Sequence, residues 1–270
     1  MTWQEFEVYC LNYLNKVFGN HFSGRGGSDS THSDIEYSGE RINFAIECKL
    51  PHSQSGQFVL IPDEDCKVFD FSKKNKTSRN LDGTEDIIAY VNDHFDEFSS
   101  PGTKGIELQI DSSVYERWIK AMYRQKNVKY IMTSINRNIC DENIIIFPLE
   151  QIGDYFEISC KYRVKKSGSR GVNKKKYKDA CKILKQKGIK FTEVNDYQVC
   201  MENKLIHSIH IGEEGKYKFN LNTCEPDFTY IIRVLSNTYN ANIIFSLKIK
   251  DGVSQDSNVL EMFRKLILTD

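Results

Sequence analysis

Two acidic residues and a lysine stand at a spacing that could hold a divalent cation against a phosphodiester bond. Asp34 comes first, and after residues 35–46 the chain reads Glu47, Cys48 and Lys49. Carboxylate oxygens are the ligands that Mg²⁺ prefers, and a cation lowers the pKa of a water bound to it. We therefore predict a Mg²⁺-dependent centre for phosphodiester hydrolysis, in which Asp34, Glu47 and the backbone carbonyl of Cys48 hold the metal. Lys49 would position the attacking water and stabilise the charge on phosphorus.

A β-hairpin is predicted to position these groups, with residues 34–37 in its first strand and residues 42–49 in its second. Side chains alternate between the two faces of a strand. The even-numbered residues of the second strand are apolar or cysteine, so they are expected to enter the core and to leave the Cys48 thiol inert. Glu47 and Lys49 would then emerge side by side on the opposite surface.

Other acidic residues near the amino terminus could join or replace this set. Glu5 lies three residues after Thr2, so it either adds a carboxylate to the metal site or completes a capping box on the first helix. Asp29 is the alternative to Asp34, although it falls within a loop rich in Gly and Ser rather than on the strand. Glu7 is expected to be solvated.

The cysteines do not indicate a metal site or a disulfide framework. The eight cysteines are spread through the chain with no Cys-x-x-Cys pair, which favours reduced and mostly buried thiols. His207 and His210 lie near Cys200 in a spacing that could suggest zinc. No fourth residue has a suitable spacing, however, so zinc is not expected.

The composition is that of a folded, globular protein. Hydrophobic residues make up 40% of the 270 residues and aromatic residues 12%, which is typical of a globular chain. The first residues lack the basic and apolar regions of a signal peptide. No apolar run approaches the roughly 20 residues that span a bilayer, so a soluble cytoplasmic protein is expected.

A neutral total charge hides a strongly basic segment. The chain has 37 basic and 37 acidic residues, but residues 161–190 contain thirteen Lys and Arg against one acid, Asp179. This segment therefore carries +12 and the remainder carries −12. A charge run can be an ordinary solvated surface, but an excess of this size favours a polyanion such as DNA as the partner.

Two polar segments are predicted to contact DNA. Residues 52–57 follow the catalytic strand and are expected to form a polar turn, whose glutamine amides could donate and accept at base edges. An ordinary polar turn is the alternative. The basic loop at residues 165–171 offers lysines and hydroxyls for phosphates and an arginine for guanine. The residues expected to contact DNA are His52, Gln54, Gln57, Arg163, Lys165, Lys166, Ser167, Ser169 and Arg170.

The remaining patterns predict an α/β fold with a mixed central sheet flanked by helices. No repeat and no linker is evident, so we expect one domain over residues 1–270. It would comprise a catalytic core over about residues 1–150 and a basic, DNA-contacting part over about residues 151–270. Helices are predicted from Thr2 to Gly19 and at 85–98 with Thr84 as the cap, 113–126 and 174–187; strands are predicted at 58–61, 128–133, 144–147, 156–164, 231–234 and 241–250.

The chain resembles the PD-(D/E)xK nuclease superfamily and, within it, the type II restriction endonucleases. Asp34, Glu47 and Lys49 match the metal and lysine positions of the superfamily, and Ser33 replaces the proline of its name. No resemblance is evident over about residues 63–102 or over residues 190–217. The resemblance rests on five segments: TWQEFEVYCLNYLNKVFGN, GGSDSTHSDI, ECKLPHSQSGQFVLIP, ISCKYRVKKSGSR and LSNTYNANIIFSL.

This resemblance implies a Mg²⁺-dependent endonuclease of a restriction-modification system that cuts double-stranded DNA at a short palindrome. By analogy the palindrome is GCGC, cut to leave a 5′ phosphate and a short 3′ overhang, with a cognate cytosine methyltransferase protecting the host. Two other functions stay open: a structure-selective repair or junction nuclease of the same fold, and a DNA-binding module without catalysis. The choice between a monomer and a homodimer also stays open.

Overall fold

The computed structural model divides into two compact units. The first contains residues 1–164 and 241–270, and the second contains residues 165–240. The second unit begins at residue 165, whereas the basic part was predicted from about residue 151. The expectation of a single domain stays a prediction. The structure describes residues 1–19, 21–25, 32–72, 81–99, 105–166, 170–194, 197–203, 210–211, 217–221, 228–235 and 239–269.

Along the chain, most helices are separated by single strands or by runs of strands. The helices are α1 (Trp3–Phe18), α2 (Thr84–Asp93), α3 (Phe95–Ser99), α4 (Ser112–Gln125), α5 (Ile152–Tyr155), α6 (Lys174–Gln186) and α7 (Ser257–Leu268). The strands are β1 (Phe22–Gly24), β2 (Ile35–Ser38), β3 (Asn43–Lys49), β4 (His52–Asp63), β5 (Val68–Phe71), β6 (Ile106–Glu107), β7 (Val128–Ser134), β8 (Ile144–Pro148), β9 (Phe156–Lys166), β10 (Arg170–Gly171), β11 (Phe191–Val194), β12 (Gln198–Met201), β13 (His210–Ile211), β14 (Tyr217–Leu221), β15 (Thr229–Val234) and β16 (Tyr239–Ile249).

A mixed five-stranded sheet carries the predicted catalytic hairpin. Its strand order is β1-β2-β3-β7-β8, and β3 pairs antiparallel with β2 and parallel with β7. One face packs against α1 and α7 through residues that include Phe6, Cys10 and Phe263. The other face belongs to a second cluster to which α4 contributes Trp118 and Tyr123. The predicted mixed sheet flanked by helices is confirmed.

The first unit also contains a second five-stranded sheet with the order β5-β4-β16-β9-β6. Its core residues lie in the same cluster as α4, where the rings of Trp118 and Phe245 stack with centroids 4.0 Å apart. Strand β4 pairs antiparallel with β5 and β16. Helix α4 therefore packs against strands of both sheets.

The predicted polar turn at residues 52–57 is wrong. These residues form the first half of β4, because they pair with β16 from His52 opposite Lys248 to Gln57 opposite Ile244. The strand also continues through Pro62, which the sequence placed at its end, and Pro62 pairs with Phe69 of β5.

Of the two predicted helix caps, one is confirmed and the other is wrong. The capping box of α1 is confirmed, since the Thr2 and Glu5 side chains each accept from the backbone of the other. The predicted helix over residues 85–98 is instead α2 and α3 with a break at His94. Thr84 does not cap it, because its buried hydroxyl accepts a hydrogen bond from the indole of Trp118.

The second unit contains an antiparallel sheet covered by α6. The strand order is β11-β12-β15-β14-β13, and β10 pairs with β15. Tyr177, Ala180 and Leu184 of α6 enter the core cluster of this unit. The sequence predicted α6 and β15 but missed the other strands of this sheet, and it also missed α7 in the first unit.

Most of the described cysteines are buried. Seven described cysteines are free, and four of them are buried. No described helix is long and apolar enough to cross a membrane.

Candidate active site

The predicted carboxylates and lysine come together at the carboxyl-terminal end of β3. Ile35 pairs with Ile46 across the hairpin, so Asp34 and Glu47, the next residues outwards, lie close together. The backbone N–H of Cys48 donates to Asp34 Oδ2 at 2.8 Å. The Lys49 ammonium lies 2.7 Å from Glu47 Oε1. The hairpin therefore assembles these groups as the spacing predicted.

The face that carries Glu47 is buried rather than open to solvent. Glu47 retains only 4% exposure and Ala45 only 3%, because the cluster around α4 covers this side of the sheet. The predicted emergence of Glu47 on the surface is therefore wrong. Within the described structure, Glu47 Oε2 is buried and has no hydrogen-bond partner. An unpaired buried carboxylate oxygen is costly, and a cation would satisfy it.

Glu7 of α1 brings a third carboxylate to this site, although the sequence suggested that it was solvated. Burial and the neighbouring Asp34 raise the pKa of Glu7 to about 7, and the two side chains share a hydrogen bond. Burial and the charge of Glu47 also raise the pKa of Asp34. A hydrogen bond between two carboxyl groups requires one proton, so the pair carries that proton at low pH.

The Lys49 side chain is held as an ammonium ion. Burial lowers its pKa, but the negative charge of Glu47 heads a set of neighbours that together raise the pKa well above its ordinary value. Lys49 can therefore donate hydrogen bonds and stabilise negative charge, and it does not serve as a general base near neutral pH. Burial also raises the pKa of the Cys48 thiol, which keeps that thiol protonated.

This donor set fits a hard divalent cation. Asp34 and Glu47 offer carboxylate oxygens, the carbonyl of Cys48 lies between Glu47 and Lys49 in the chain, and such cations prefer oxygen ligands. In the part of the chain that the structure describes, no group of three or more His, Cys, Asp or Glu side chains is arranged to hold a metal ion. A metal here would therefore use two carboxylates and a backbone carbonyl.

A solved structure of the HhaI endonuclease in complex with DNA, at pH 6.0, is similar to this chain over its whole length. The two are 40% identical with a TM-score of 0.82, and the match covers 100% of this chain and 98% of the other. The chain belongs to the HhaI endonuclease family. No protein-family model and no curated protein sequence matches it.

Membership of the HhaI family confirms the resemblance to type II restriction endonucleases that the sequence segments indicated. It also confirms the restriction-endonuclease-like α/β fold and the prediction that the chain is an endonuclease. The roles of the individual residues in this HhaI-family site stay predictions.

Glu5 does not join the carboxylates of this HhaI-family site. It is exposed, and its carboxylate accepts the backbone N–H of Thr2 at 2.6 Å. Hydrogen bonds to Thr2 lower the pKa of Glu5. The capping interpretation therefore holds, and the helix instead directs Glu7, two residues later, towards Asp34. The sequence offered no signal for this position of Glu7, because it depends on how α1 packs against the sheet.

The residues predicted to contact DNA lie in several places. His52, Gln54 and Gln57 are exposed on β4, and the Gln54 amide donates to Gln57 Oε1 at 3.3 Å. Arg163 is exposed on β9. Of the basic loop, only the backbone of Lys165, Lys166 and Arg170 is described; Ser167 and Ser169 lie outside the described residues, as do Asp29 and His207.

Proposed function

We propose that this protein is a Mg²⁺-dependent restriction endonuclease that hydrolyses phosphodiester bonds in double-stranded DNA at GCGC. The observation that carries the proposal is the convergence of Asp34, Glu47 and Lys49 around the unpaired, buried Glu47 Oε2. The HhaI endonuclease of the matched structure is bound to DNA, which supports DNA as the substrate. The choice of GCGC rests on the resemblance of the sequence segments.

Asp34, Glu47 and the carbonyl of Cys48 would hold the cation. When bound, Mg²⁺ supplies charge neutralisation at the phosphate and lowers the pKa of a bound water. The Lys49 ammonium, oriented by Glu47 Oε1, donates a hydrogen bond to the attacking water or to a phosphate oxygen. Its fixed positive charge stabilises the negative charge that grows on the oxygens around phosphorus.

Glu7 adjusts the charge of this site. Because its pKa is raised to about 7, Glu7 is protonated below that pH and shares its proton with Asp34. Above that pH both groups are carboxylates, and the site gains negative charge for a divalent cation. The affinity for Mg²⁺ is therefore expected to rise as the pH increases through this range.

The second unit supplies positive charge for the DNA backbone. Its helix α6 and the residues after it expose lysines along their length, and Asp179, the one acid of the segment, accepts a hydrogen bond from the hydroxyl of Tyr217 at 2.5 Å. Lysines bind phosphates without regard to sequence. Base recognition would come from Gln54 and Gln57 on β4 and from the arginines near residue 167. The lysines in question are Lys174, Lys175, Lys176, Lys178, Lys182, Lys185, Lys187 and Lys190.

The proposed activity implies a partner enzyme in the host and a location in the cell. A host that contains this enzyme needs a cytosine methyltransferase that modifies GCGC, because its own DNA would otherwise be cut. We also propose that the enzyme acts in the cytoplasm, since that is where it would meet incoming DNA.

Digestion of unmethylated phage DNA with Mg²⁺, followed by sequencing of the ends, tests the proposal. Discrete fragments that end at GCGC are expected, and none should form when the same DNA is first methylated at the cytosines of GCGC. Cleavage at another fixed sequence would retain the nuclease and discard the site. Cleavage only at junctions or flaps would favour a repair enzyme, and binding without cleavage would favour a non-catalytic DNA-binding protein.

A further inference from the structure

The ammonium of Lys49 lies near an aromatic ring as well as its carboxylate partner. Lys49 Nζ lies 5.9 Å from the centre of the Tyr123 ring, while Glu47 Oε1 lies 2.7 Å from the same nitrogen. Tyr123 is completely buried in α4. A cation over an aromatic face is attracted by the electron-rich ring, and the attraction is stronger where water is excluded.

The Tyr123 ring is itself fixed through its hydroxyl. That hydroxyl lies 2.5 Å from Ser55 Oγ and also donates to the Ser55 carbonyl at 3.5 Å. Burial raises the pKa of the Tyr123 hydroxyl, so the group stays neutral. The ring is therefore held by β4 at one end, while its face is turned towards Lys49.

A β-bulge directs Ser55 towards Tyr123. Along β4 and β16, Gly56 is opposite Phe245 and Gln54 is opposite Ser246, so Ser55 is left without an opposite residue. Such an extra residue bends the strand and redirects a side chain. Ser55 is consequently buried, whereas Gln54 before it is exposed.

Gly56 allows α4 to approach β4 closely. A Cβ atom on Gly56 would lie 2.8 Å from the Trp118 ring and 2.9 Å from the sulfur of Met122. Real carbon atoms do not approach so closely, so only glycine permits this contact. Residues 55 and 56 thus fix both the ring of Tyr123 and the helix that carries it.

We propose that Tyr123 is a positioning residue for the catalytic Lys49, with the Ser55 bulge fixing the ring on which the ammonium rests. This inference rests on the proposed function. A lysine side chain has a flexible four-carbon stem, and Glu47 alone restrains it from one direction. The ring restrains it from another direction and shields it from water. A displacement of about 1 Å in such a group can cost about 100-fold in rate.

Single-turnover cleavage of a GCGC duplex, with enzyme in excess, separates positioning from stability. Tyr123→Leu should lower the rate constant about 10- to 100-fold and leave the dissociation constant for DNA near that of the wild type. Tyr123→Phe keeps the ring but loses its hydrogen bonds to Ser55, so it should lower the rate constant less than Tyr123→Leu does. While folded enzyme stays in excess over the DNA, a partly unfolded variant keeps its rate constant, and its loss of stability is seen in its melting temperature, so the two effects are read separately.

Tyr115→Leu is the matched control. Tyr115 lies on the same helix, is also buried and donates its hydroxyl hydrogen to the Leu108 carbonyl at 2.8 Å, and its ring packs edge-on against Phe245 of β16. Its replacement should lower the melting temperature without changing the rate constant. If Tyr123→Leu does not fold, Tyr123→Met, which has no ring, takes its place.

Each outcome of this experiment counts for or against the proposal. Equal rate constants for wild type and Tyr123→Leu would overturn the positioning role and leave the nuclease function intact. Equal losses of rate in the Tyr123→Phe and Tyr123→Leu variants would also overturn the proposal, because the aromatic ring would then not be what positions Lys49. A wild-type protein that cleaves no DNA would overturn the proposed function and this inference together.

Discussion

The end of β3 and the surface of α6 use charge in opposite ways. At the end of β3, Glu47 and Lys49 are largely buried, lie 2.7 Å apart and take part in a small set of defined contacts. Along α6, the lysines are exposed and many. Burial makes each electrostatic interaction strong and dependent on position, whereas exposed charges act together, over a distance and subject to salt. Chemistry requires the first arrangement, and attraction of a polyanion requires only the second.

Removal of the ammonium should produce the largest effect. Lys49→Ala is expected to lower the cleavage rate about 1,000-fold or more, because it removes a preorganised charge from a site that excludes water. DNA binding should change little. Lys129→Ala is the control, since Lys129 is exposed on the neighbouring strand β7 and its loss should leave the rate unchanged. A Lys49→Ala enzyme with near wild-type single-turnover rates would remove Lys49 from the mechanism.

Removal of charge from α6 should produce a smaller effect, on the affinity for DNA rather than on the cleavage rate. Lys174→Ala, Lys175→Ala and Lys178→Ala combined should weaken DNA binding about tenfold at moderate salt. The slope of log affinity against log salt concentration should become shallower by about 0.9 for each phosphate that is no longer neutralised. The single-turnover rate at saturating enzyme should be unchanged.

Fluorescence anisotropy across a series of salt concentrations measures both the affinity and its salt slope. Lys265→Ala, on the exposed surface of α7, is the control for the α6 variant and should leave both quantities unchanged. A salt slope that the three α6 substitutions do not alter would exclude α6 from the DNA interface.

The smallest expected effect concerns the stability of the metal-free protein. Glu7 has a pKa of about 7 in the fold against an ordinary value of 4.5. Because the folded value is the higher one, protonated Glu7 stabilises the fold at low pH, and this contribution is lost as the pH rises through about 7. The melting temperature without metal should therefore fall between about pH 5 and pH 8, and Glu7→Gln should flatten that fall.

Glu5 provides the opposite case on the same helix. Its pKa is lowered by hydrogen bonds to Thr2, so its contribution is present at neutral pH and is lost as the pH falls. Glu5→Gln should thus weaken stability at neutral pH and leave the fall above pH 5 in place. Thermal melts of both variants in chelator, at a series of pH values, make the measurement. Identical pH profiles for the two variants would contradict the pairing of Glu7 with Asp34.

Local features could be predicted from the sequence because they depend on near neighbours. The capping box of α1 involves residues three apart, and the catalytic hairpin needs only a short turn between β2 and β3. Strand β4 could not be predicted over residues 52–57, because its polar residues become a strand only by pairing with β16, almost 200 residues later.

The same distinction explains the site residues. Asp34, Glu47 and Lys49 belong to one hairpin, so their spacing was sufficient to predict that they come together. Glu7 and Tyr123 reach the site from α1 and α4, and their roles depend on how those helices pack against the sheet. The sequence predicted the helix α1, but not which strands that helix would cover.

The position of β16 in the second sheet has a consequence for the order in which the protein can fold. This strand lies between β4 and β9, yet a ribosome produces it after both of them. Until residues 239–249 emerge, β4 presents an unpaired edge, and such edges promote aggregation. Pairing across so long a stretch of chain is also slow. Chains truncated before β16 would therefore hold the complete β2–β3 hairpin within a framework prone to aggregate, and the nuclease would mature only after β16 has been synthesised.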